Sequence, residues 1–333
     1  MKNGTEIVEG PLVSIIIPCY NHEKYIEECF KSLLDQTYQN IELLIIDDCS
    51  QDGSVKVIEN WIERLKTRFI NVFFIKHSVN LGVVKSVNQV IPVCKGKYIK
   101  LLASDDMLFP GAVWDLVSYL EANAGCGMVY SNHVVCTVDE KYDVGNLKKK
   151  SVIKSPEITP NMTQALYEND FIIAPTVLIR KEVYDKIGLH DENLSMEDWE
   201  FWIRVSLYFQ IGYLHRTTAA YRVVSGSLSR FTNDETGMKR LKSMIRNEFK
   251  VLDKYKNNPN IDSRRGIRKC CDQGISIAID FGADEIVKII RDYLKKNCTH
   301  LSFKMEVKYI CFRLKIWKLI KIFLRKDFMR NGN

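Results

Sequence analysis

Apolar runs and amphipathic segments alternate over the first 110 residues of the chain. Four of the runs are rich in β-branched and aliphatic residues, as buried strands are. These runs cover residues 12–17, 41–46, 71–75 and 98–102. Apolar residues at spacings of three and four predict helices over residues 23–34, 54–65 and 82–91. Strands and helices that alternate at this pace predict a parallel, doubly wound α/β sheet.

The pattern becomes less regular after residue 110. It predicts helices over 111–121 and 197–207, and short strands near 128–130, 176–179 and 211–214. No internal repeat is found in the sequence.

Two later stretches lack strand signals. Residues 139–160 are polar, rich in Lys and without a period, which predicts a mobile loop. Residues 233–297 have a helical pattern throughout. We therefore expect a sheet domain over 1–230, a helical region over 231–300 and a basic amphipathic helix over 301–333.

Composition indicates a globular protein in a reducing compartment. Of the 333 residues, 46% are hydrophobic and 27% are charged. The ten cysteines are scattered and form no C-x-x-C pair, so we expect free thiols rather than disulfides or zinc ligands. The first eleven residues contain no apolar stretch, so we expect no secretory signal.

Positive charge is concentrated at the end of the chain. Residues 301–333 contain nine Lys or Arg and two acidic residues, which accounts for the formal net charge of +7. Because the rest of the chain is close to neutral, a nucleic-acid-binding surface spread over the fold is not expected.

The same terminal segment has apolar residues at helical spacing. They are Phe303, Val307, Ile310, Leu314, Trp317, Ile320, Leu324 and Phe328. The opposing basic stripe consists of Lys304, Lys308, Lys315, Lys318 and Arg325. This pattern is typical of a helix in an anionic membrane interface, and it is too charged to span a bilayer. The alternative is a helix that packs on the sheet domain.

Three acidic pairs lie at the ends of predicted elements: Asp47-Asp48, Asp105-Asp106 and Glu197-Asp198. The first two pairs follow parallel strands, so they should face the same crevice. Adjacent carboxylates repel each other, and Mg²⁺ or Mn²⁺ is the divalent cation that oxygen ligands favour. Such an ion commonly holds a diphosphate. Two alternatives stay open: Asp106 as a helix cap, and Glu197-Asp198 as acids placed by the helix dipole.

Several other kinds of chemistry are excluded by missing motifs. The chain contains no G-x-G-x-x-G, P-loop, G-x-S-x-G or H-E-x-x-H sequence. The first strand is followed by Pro18-Cys19-Tyr20-Asn21 instead. What remains is a metal-diphosphate site on a nucleotide-binding sheet without a Gly-rich loop.

A series of ordered motifs extends this argument. They lie at residues 13–21, 36–43, 46–54, 80–82 with Asn88, 104–106, 197–204, 221–222 and 227–230. In this order they resemble the family 2 inverting glycosyltransferases of the GT-A fold. The resemblance covers about 11–230 and implies a catalytic GT-A domain over 1–230.

The resemblance implies a hexosyltransferase reaction. A sugar would move from a nucleotide-diphosphate donor, with UDP as the expected nucleotide, to an acceptor hydroxyl with inversion. Asp198 would be the catalytic base, with Glu197 and Trp199 supporting it or the acceptor. Asp105 would bind Mn²⁺ or Mg²⁺, and Asp106 would lie near the donor sugar or support the metal site without binding the ion directly.

The donor nucleotide would lie at the ends of the first strands. The residues expected to bind it are Pro18, Tyr20, Asn21, Glu23, Asp47, Asp48, Gly82, Ser104 and Asp106. A carboxylate such as Asp47 can accept a hydrogen bond from a uracil-type N3–H, and the Tyr20 ring can stack on a base. The alternatives are a surface aromatic for Tyr20 and a simple strand terminator for Pro18.

The resemblance also implies a biological setting. Transferases of this type act on glycan or lipid-linked acceptors in cell-surface polysaccharide, O-antigen or capsule synthesis. We therefore expect a cytoplasmic protein that lies on the inner face of the membrane through its basic terminal helix.

The sequence departs from the family pattern at three positions. Ala103 stands where many members have another Asp, Val87 where an Arg is common, and Val224 where a His is often found. Two other functions are alternatives. One is an inactive membrane-bound scaffold that binds nucleotide sugars. The other is a sugar-nucleotide pyrophosphorylase, which would need a Gly-rich loop that the first strand lacks.

Overall fold

A computed structural model describes residues 10–224, 232, 234–315 and 317. It divides the chain into two compact units. The first unit comprises residues 1–162 and 170–227, and the second comprises 163–169 and 228–333.

The first unit is built on a mixed sheet. Its strands are β1 (Val13–Cys19), β2 (Ile41–Asp47), β3 (Asn71–Lys76), β4 (Tyr98–Leu101), β5 (Met107–Leu108), β6 (Cys126–Cys136), β7 (Val152–Ile153), β8 (Leu178–Arg180) and β9 (Gln210–Arg222). The order is β3-β2-β1-β4-β8-β6-β9-β5, with β7 paired to β6. Strands β3, β2, β1 and β4 are parallel, as expected, and β8 enters antiparallel between β4 and β6.

Helices alternate with these strands along the chain. They are α1 (Ile26–Leu34), α2 (Ser54–Lys66), α3 (Val83–Val90), α4 (Ala112–Ala122), α5 (Val144–Lys148), α6 (Met162–Glu168), which belongs to the second unit from residue 163 onward, α7 (Lys181–Ile187) and α8 (Trp199–Ser206). Strands β1 and β2 are buried almost throughout, which explains their unbroken aliphatic sequences. They form one hydrophobic core with side chains from α1, α2 and α4. The predicted α/β class is confirmed.

Strands β6 and β9 are much longer than the sequence predicted. Polar residues interrupt their apolar runs but are buried and paired: Ser131 Oγ lies 2.6 Å from Thr218 Oγ1, and the Tyr213 hydroxyl donates to Asn132 Oδ1 at 2.6 Å. A search for apolar runs therefore ends these strands too early.

The prediction of a mobile loop over 139–160 was wrong in part. It contains α5, whose first turn is capped by the Asp143 carboxylate, and β7, which pairs with β6. Helix α7 was missed by the sequence interpretation.

The second unit is helical where it is described. It contains α9 (Glu235–Tyr255), α10 (Ser263–Asp280), α11 (Asp284–Lys296) and α12 (Phe303–Arg313). The aromatic rings of Phe249 and Tyr293 stack between α9 and α11 with centroids 3.7 Å apart. In the described parts of the chain, every helix is too short or too polar to cross a membrane.

Helix α12 covers the first part of the predicted terminal helix, and Trp317 is again helical. Helix α12 is capped at Leu314, and Lys315 has a φ of +60°, a conformation that ends helices. The other predicted helix residues, 316 and 318–333, lie outside the described residues, as do the motif residues 227–230.

Candidate functional site

The loops after β1, β2 and β4 meet at one edge of the sheet. Cys19 pairs with Asp47 at the ends of β1 and β2, and the Asp48 amide donates to the Cys19 carbonyl at 2.8 Å. The Ser104 amide donates to the Pro18 carbonyl at 3.3 Å. Parallel strands end together, so the acidic pairs 47–48 and 105–106 lie at the same edge, as their positions predicted.

Asp47 has one carboxylate oxygen in use inside the protein. Its Oδ1 accepts a hydrogen bond from the Ser50 amide at 2.9 Å. Its Oδ2 is buried and has no hydrogen-bond partner among the described residues. A buried acceptor without a partner is costly, and a ligand N–H would satisfy it.

Asn21 and Glu23 bind the turn that follows Asp47. The Asn21 side chain accepts from the Gln51 amide at 2.7 Å, and Glu23 Oε2 accepts from the Gly53 amide at 2.6 Å. Asn21 has a φ of +56°, which Asn tolerates better than most residues. The two side chains join the first two strand-end loops. Tyr20, directly before Asn21, is 44% exposed.

Asp48 holds the start of α3. Its Oδ1 accepts from the Leu81 amide at 2.8 Å and lies 2.9 Å from His77 Nδ1, while its Oδ2 accepts from the Gly82 amide at 2.8 Å. Burial opposes ionisation of Asp48, but these hydrogen bonds outweigh it and lower the pKa. Gly82 has a φ of +84°, which favours glycine. Both residues therefore shape the loop beside the site.

Asp105 and Asp106 are held differently. The Asp106 Oδ1 accepts from the Arg222 amide at 2.8 Å, and Arg222 Nε donates to the Asp105 carbonyl at 2.9 Å. Burial and the neighbouring Asp105 raise the pKa of Asp106 well above its usual range. Asp106 is 2% exposed and Asp105 is 8% exposed, so Asp105 is the more open of the two.

Three residues that were not predicted as site residues also belong to this edge: His22, Arg222 and Lys100. Ser104 Oγ lies 2.7 Å from His22 Nδ1, which is also 3.9 Å from Asp105 Oδ1. Arg222 is 1% exposed at the end of β9.

Lys100 is fully buried in β4, where Nζ donates to the carbonyls of Pro175 at 2.6 Å and Val177 at 3.1 Å. The available signal was a basic residue inside or directly after an apolar strand.

The Glu197-Asp198 pair lies at the start of α8. Asp198 is the N-cap, and its Oδ1 accepts from the Trp199 amide at 2.7 Å. Burial, followed by repulsion from Asp198, raises the pKa of Glu197 to about 7. Burial also raises the pKa of Asp198. Carboxyl groups that titrate closer to neutral pH are suited to proton transfer.

A chain of contacts links this pair to the strand-end loops. The Asn88 side chain on α3 binds the backbone of His190, and His190 Nδ1 lies 2.7 Å from the Glu197 carbonyl oxygen. Burial lowers the pKa of His190 to about 4, so this imidazole is neutral near pH 7. Asp48, α3, Asn88 and His190 thus form a continuous support for the segment that carries Asp198.

The carboxylates fit a divalent cation only in part. No group of three His, Cys, Asp or Glu side chains within the described ranges is arranged to hold a metal ion. Mg²⁺ and similar ions are, however, commonly bound by one or two carboxylates together with substrate phosphates. Asp105 could hold such an ion when a diphosphate supplies the other oxygen ligands.

Known proteins resemble the chain in sequence and in fold. A family model described as "Glycosyl transferase family 2" matches residues 14–188. An uncharacterized glycosyltransferase of Haemophilus influenzae is 26% identical over 328 residues, which cover 95% of this chain and 97% of that protein.

Two solved structures are similar at low sequence identity. S. aureus TarS 1-349 in complex with UDP-GlcNAc has a TM-score of 0.54 and 18% identity, with 81% of this chain and 80% of that chain covered. The mannosyltransferase PcManGT from Pyrobaculum calidifontis, in complex with GDP-Man and Mn²⁺, has a TM-score of 0.55 and 13% identity, with 94% and 87% covered. At these identities the likeness shows the fold.

Proposed function

Since the chain belongs to glycosyl transferase family 2, we propose that it moves a sugar from UDP to an acceptor hydroxyl with inversion at the anomeric carbon. The expected family and GT-A fold are confirmed, and the chain is accordingly a glycosyltransferase. The observation that carries the finer proposal is the buried Asp47 Oδ2, which has no partner among the described residues and lies at the same edge of the sheet as Asp105.

The proposed nucleotide site uses this oxygen. Asp47 Oδ2 would accept the N3–H of uracil, and the exposed ring of Tyr20 would stack on the base next to Pro18. Asn21, Glu23, Asp48 and Gly82 would act through the loops that they hold in place. The structurally similar TarS complex with UDP-GlcNAc supports a UDP-sugar as the donor class.

The proposed diphosphate site is centred on Asp105. A bound Mn²⁺ or Mg²⁺ would neutralise charge on the departing diphosphate. Asp105 would hold the ion, while Asp106 and Ser104 would keep the Asp105 backbone and the nearby His22 in position. The Mn²⁺-containing complex of the similar mannosyltransferase supports this assignment.

The proposed base is Asp198. Inverting transfer needs one group that removes the acceptor hydroxyl proton as the new bond forms. The hydrogen bond from the Trp199 amide fixes one carboxylate oxygen of Asp198. Its raised pKa makes it a stronger proton acceptor than an exposed Asp. Glu197 would then hold the acceptor or adjust the charge of Asp198.

We extend the proposal to the acceptor and its location. A glycan or lipid-linked acceptor of cell-surface polysaccharide synthesis, and a peripheral position on the membrane, fit the basic terminal segment of the chain. The hexose that is transferred would be set by contacts beyond the nucleotide site.

A donor panel tests the proposal. Purified full-length protein is incubated with UDP- and GDP-hexoses, with and without Mn²⁺, while nucleotide release and thermal stability are followed. We expect release from one UDP-sugar and stabilisation by UDP with metal, and Asp198→Asn should keep the stabilisation but lose turnover. Turnover that survives in Asp198→Asn would contradict the assignment of the base. Stabilisation without turnover of any donor by the wild type would instead indicate a nucleotide-sugar-binding scaffold.

A further inference from the structure

Helix α12 packs in its own unit through charged side chains. Lys308 is only 8% exposed, and its Nζ lies 3.1 Å from Asp280 Oδ2 and 2.7 Å from Ser276 Oγ on α10. Arg291 on α11 binds the Glu306 carboxylate at 3.1 Å, and its guanidinium lies 4.1 Å from the centre of the Tyr309 ring. The inward side of α12 therefore contains two ion pairs, one of them made by a buried lysine.

The opposite side of α12 presents apolar side chains to solvent. Phe303 is 86% exposed, Val307 43%, Ile310 52% and Leu314 64%. These positions are separated by four, three and four residues, so their side chains share one narrow face of the helix. The four residues are called the outward face of α12 below.

An ordinary surface helix buries its apolar stripe, but four apolar side chains of α12 are exposed while Lys308 is buried. Contiguous exposed apolar patches of this kind mark interaction sites. Lys308, which was predicted in the basic stripe opposite the apolar residues, lies on that side of α12, where it is buried and paired with Asp280 on α10.

The charges beside the outward face indicate the partner. Lys304 and Arg313, which flank the face, are exposed, and so is Lys315 directly after the helix. The segment 301–333 as a whole carries nine basic and two acidic residues. Apolar residues flanked by cations suit the boundary between anionic headgroups and acyl chains.

We infer that the outward face of α12 enters an anionic lipid bilayer, while the Lys308–Asp280 and Arg291–Glu306 pairs hold the helix on its unit. The inference rests on the proposed membrane location, which it narrows to four named side chains. An eleven-residue helix would lie in the plane of the interface, because it is about 16 Å long and the hydrocarbon core is about 30 Å thick. Binding would need no donor sugar and no metal.

A vesicle assay with the full chain tests the inference. Co-sedimentation is measured with phosphatidylcholine vesicles that contain no phosphatidylglycerol or about one third of it. We expect binding to the anionic vesicles only. Replacing Phe303, Ile310 and Leu314 together by Ser should weaken binding roughly 10- to 100-fold, because three apolar side chains that would enter the lipid are removed. Lys304→Gln with Arg313→Gln should weaken it roughly 10- to 30-fold.

A matched variant controls for loss of exposed apolar surface in general. Ile70, Val93 and Tyr208 are 55%, 61% and 61% exposed in the first unit, and replacing all three by Ser should leave vesicle binding unchanged. Equal binding of the wild type and the α12 serine variant would overturn the inference. A wild type that does not bind vesicles but dimerises in sedimentation equilibrium would also overturn it if the α12 serine variant were a monomer. The outward face would then bind a second copy of the chain. Because UDP stabilisation is measured separately, failure here leaves the proposed transfer reaction intact.

Discussion

The side chain of Asn88 and the backbone of His190 bind each other in both directions. Asn88 Nδ2 donates to the His190 carbonyl at 2.9 Å, and Asn88 Oδ1 accepts from the His190 amide at 3.0 Å. The residues are 102 positions apart, so this pair fixes a distant segment onto α3. That segment continues to Glu197 and Asp198.

Asn88→Ala should therefore reduce catalysis more than donor binding. Loss of both hydrogen bonds leaves buried backbone groups unpaired, at a cost of about 1–3 kcal/mol in the free energy of unfolding. We expect kcat to fall about 10- to 100-fold while KM for the donor changes less than about threefold, because the base is displaced and the nucleotide site is not. Asn123→Ala, at an exposed asparagine, is the control. A loss of stability with kcat unchanged would show that the pair only supports the fold.

Glu197→Gln should shift the pH dependence of activity. Burial and repulsion from Asp198 raise the pKa of Glu197 to about 7. Near this pH, Glu197 therefore adds a second negative charge beside the base. The kcat of the wild type should change around pH 7 for this reason, and this change should be absent in Glu197→Gln, whereas Glu182→Gln, at an exposed glutamate, should keep it. A step near pH 7 that persists in Glu197→Gln would show that Glu197 does not act on the base.

The same variant should change the stability profile. The pKa of Glu197 is about 7 in the folded protein and 4.5 ordinarily, so the native state holds more protons than the unfolded state between those values. The free energy of unfolding should fall as pH rises through that window. Urea titrations from pH 4.5 to 7.5 should show a shallower fall for Glu197→Gln, by about 1–2 kcal/mol over the window after solvent screening is allowed for.

The parallel half of the fold was predictable because its strands are buried on both faces. Strands such as β1 and β2 have continuous aliphatic sequences that only a covered sheet explains. The acidic pairs at their ends followed directly from that topology. These elements needed no knowledge of distant contacts.

Other features depended on pairs that periodicity does not encode. The Ser131–Thr218 and Asn132–Tyr213 contacts bury polar residues in β6 and β9, so a hydrophobic pattern shortens both strands. His22 joins the site only because the loop after β1 reaches Ser104. The inward direction of Lys308 likewise depends on Asp280, whose position relative to α12 is set by tertiary packing.

Asp105→Ala should abolish the effect of metal on UDP binding. Asp105 is the more exposed member of its pair, and Asp106 is already bound to the Arg222 amide. We expect UDP with Mn²⁺ to raise the melting temperature of the wild type and not of the variant, because stabilisation requires binding. Asp115→Ala, outside the strand edge, is the control. A variant that still responds to UDP only when Mn²⁺ is present would place the metal elsewhere.

Lys100→Met should change how stability depends on pH in the alkaline range. Burial lowers the pKa of Lys100 to about 7 from 10.5, although the nearby Asp106 favours its charge. The native state therefore holds fewer protons than the unfolded state between pH 7 and 10.5, and this residue makes stability rise with pH in that window. The slope approaches about 1.4 kcal/mol per pH unit near the middle of the window.

The free energy of unfolding is measured by urea titration at each pH, and the value for Lys100→Met is subtracted from that of the wild type. The difference should rise with this slope. Lys97→Met, at an exposed lysine that pairs with Glu121, should keep the slope of the wild type. The carbonyls of Pro175 and Val177 lose their donor in Lys100→Met, but that penalty is independent of pH. A difference curve that is flat from pH 7 to 10 would show that the Lys100 amine keeps its proton in the folded protein.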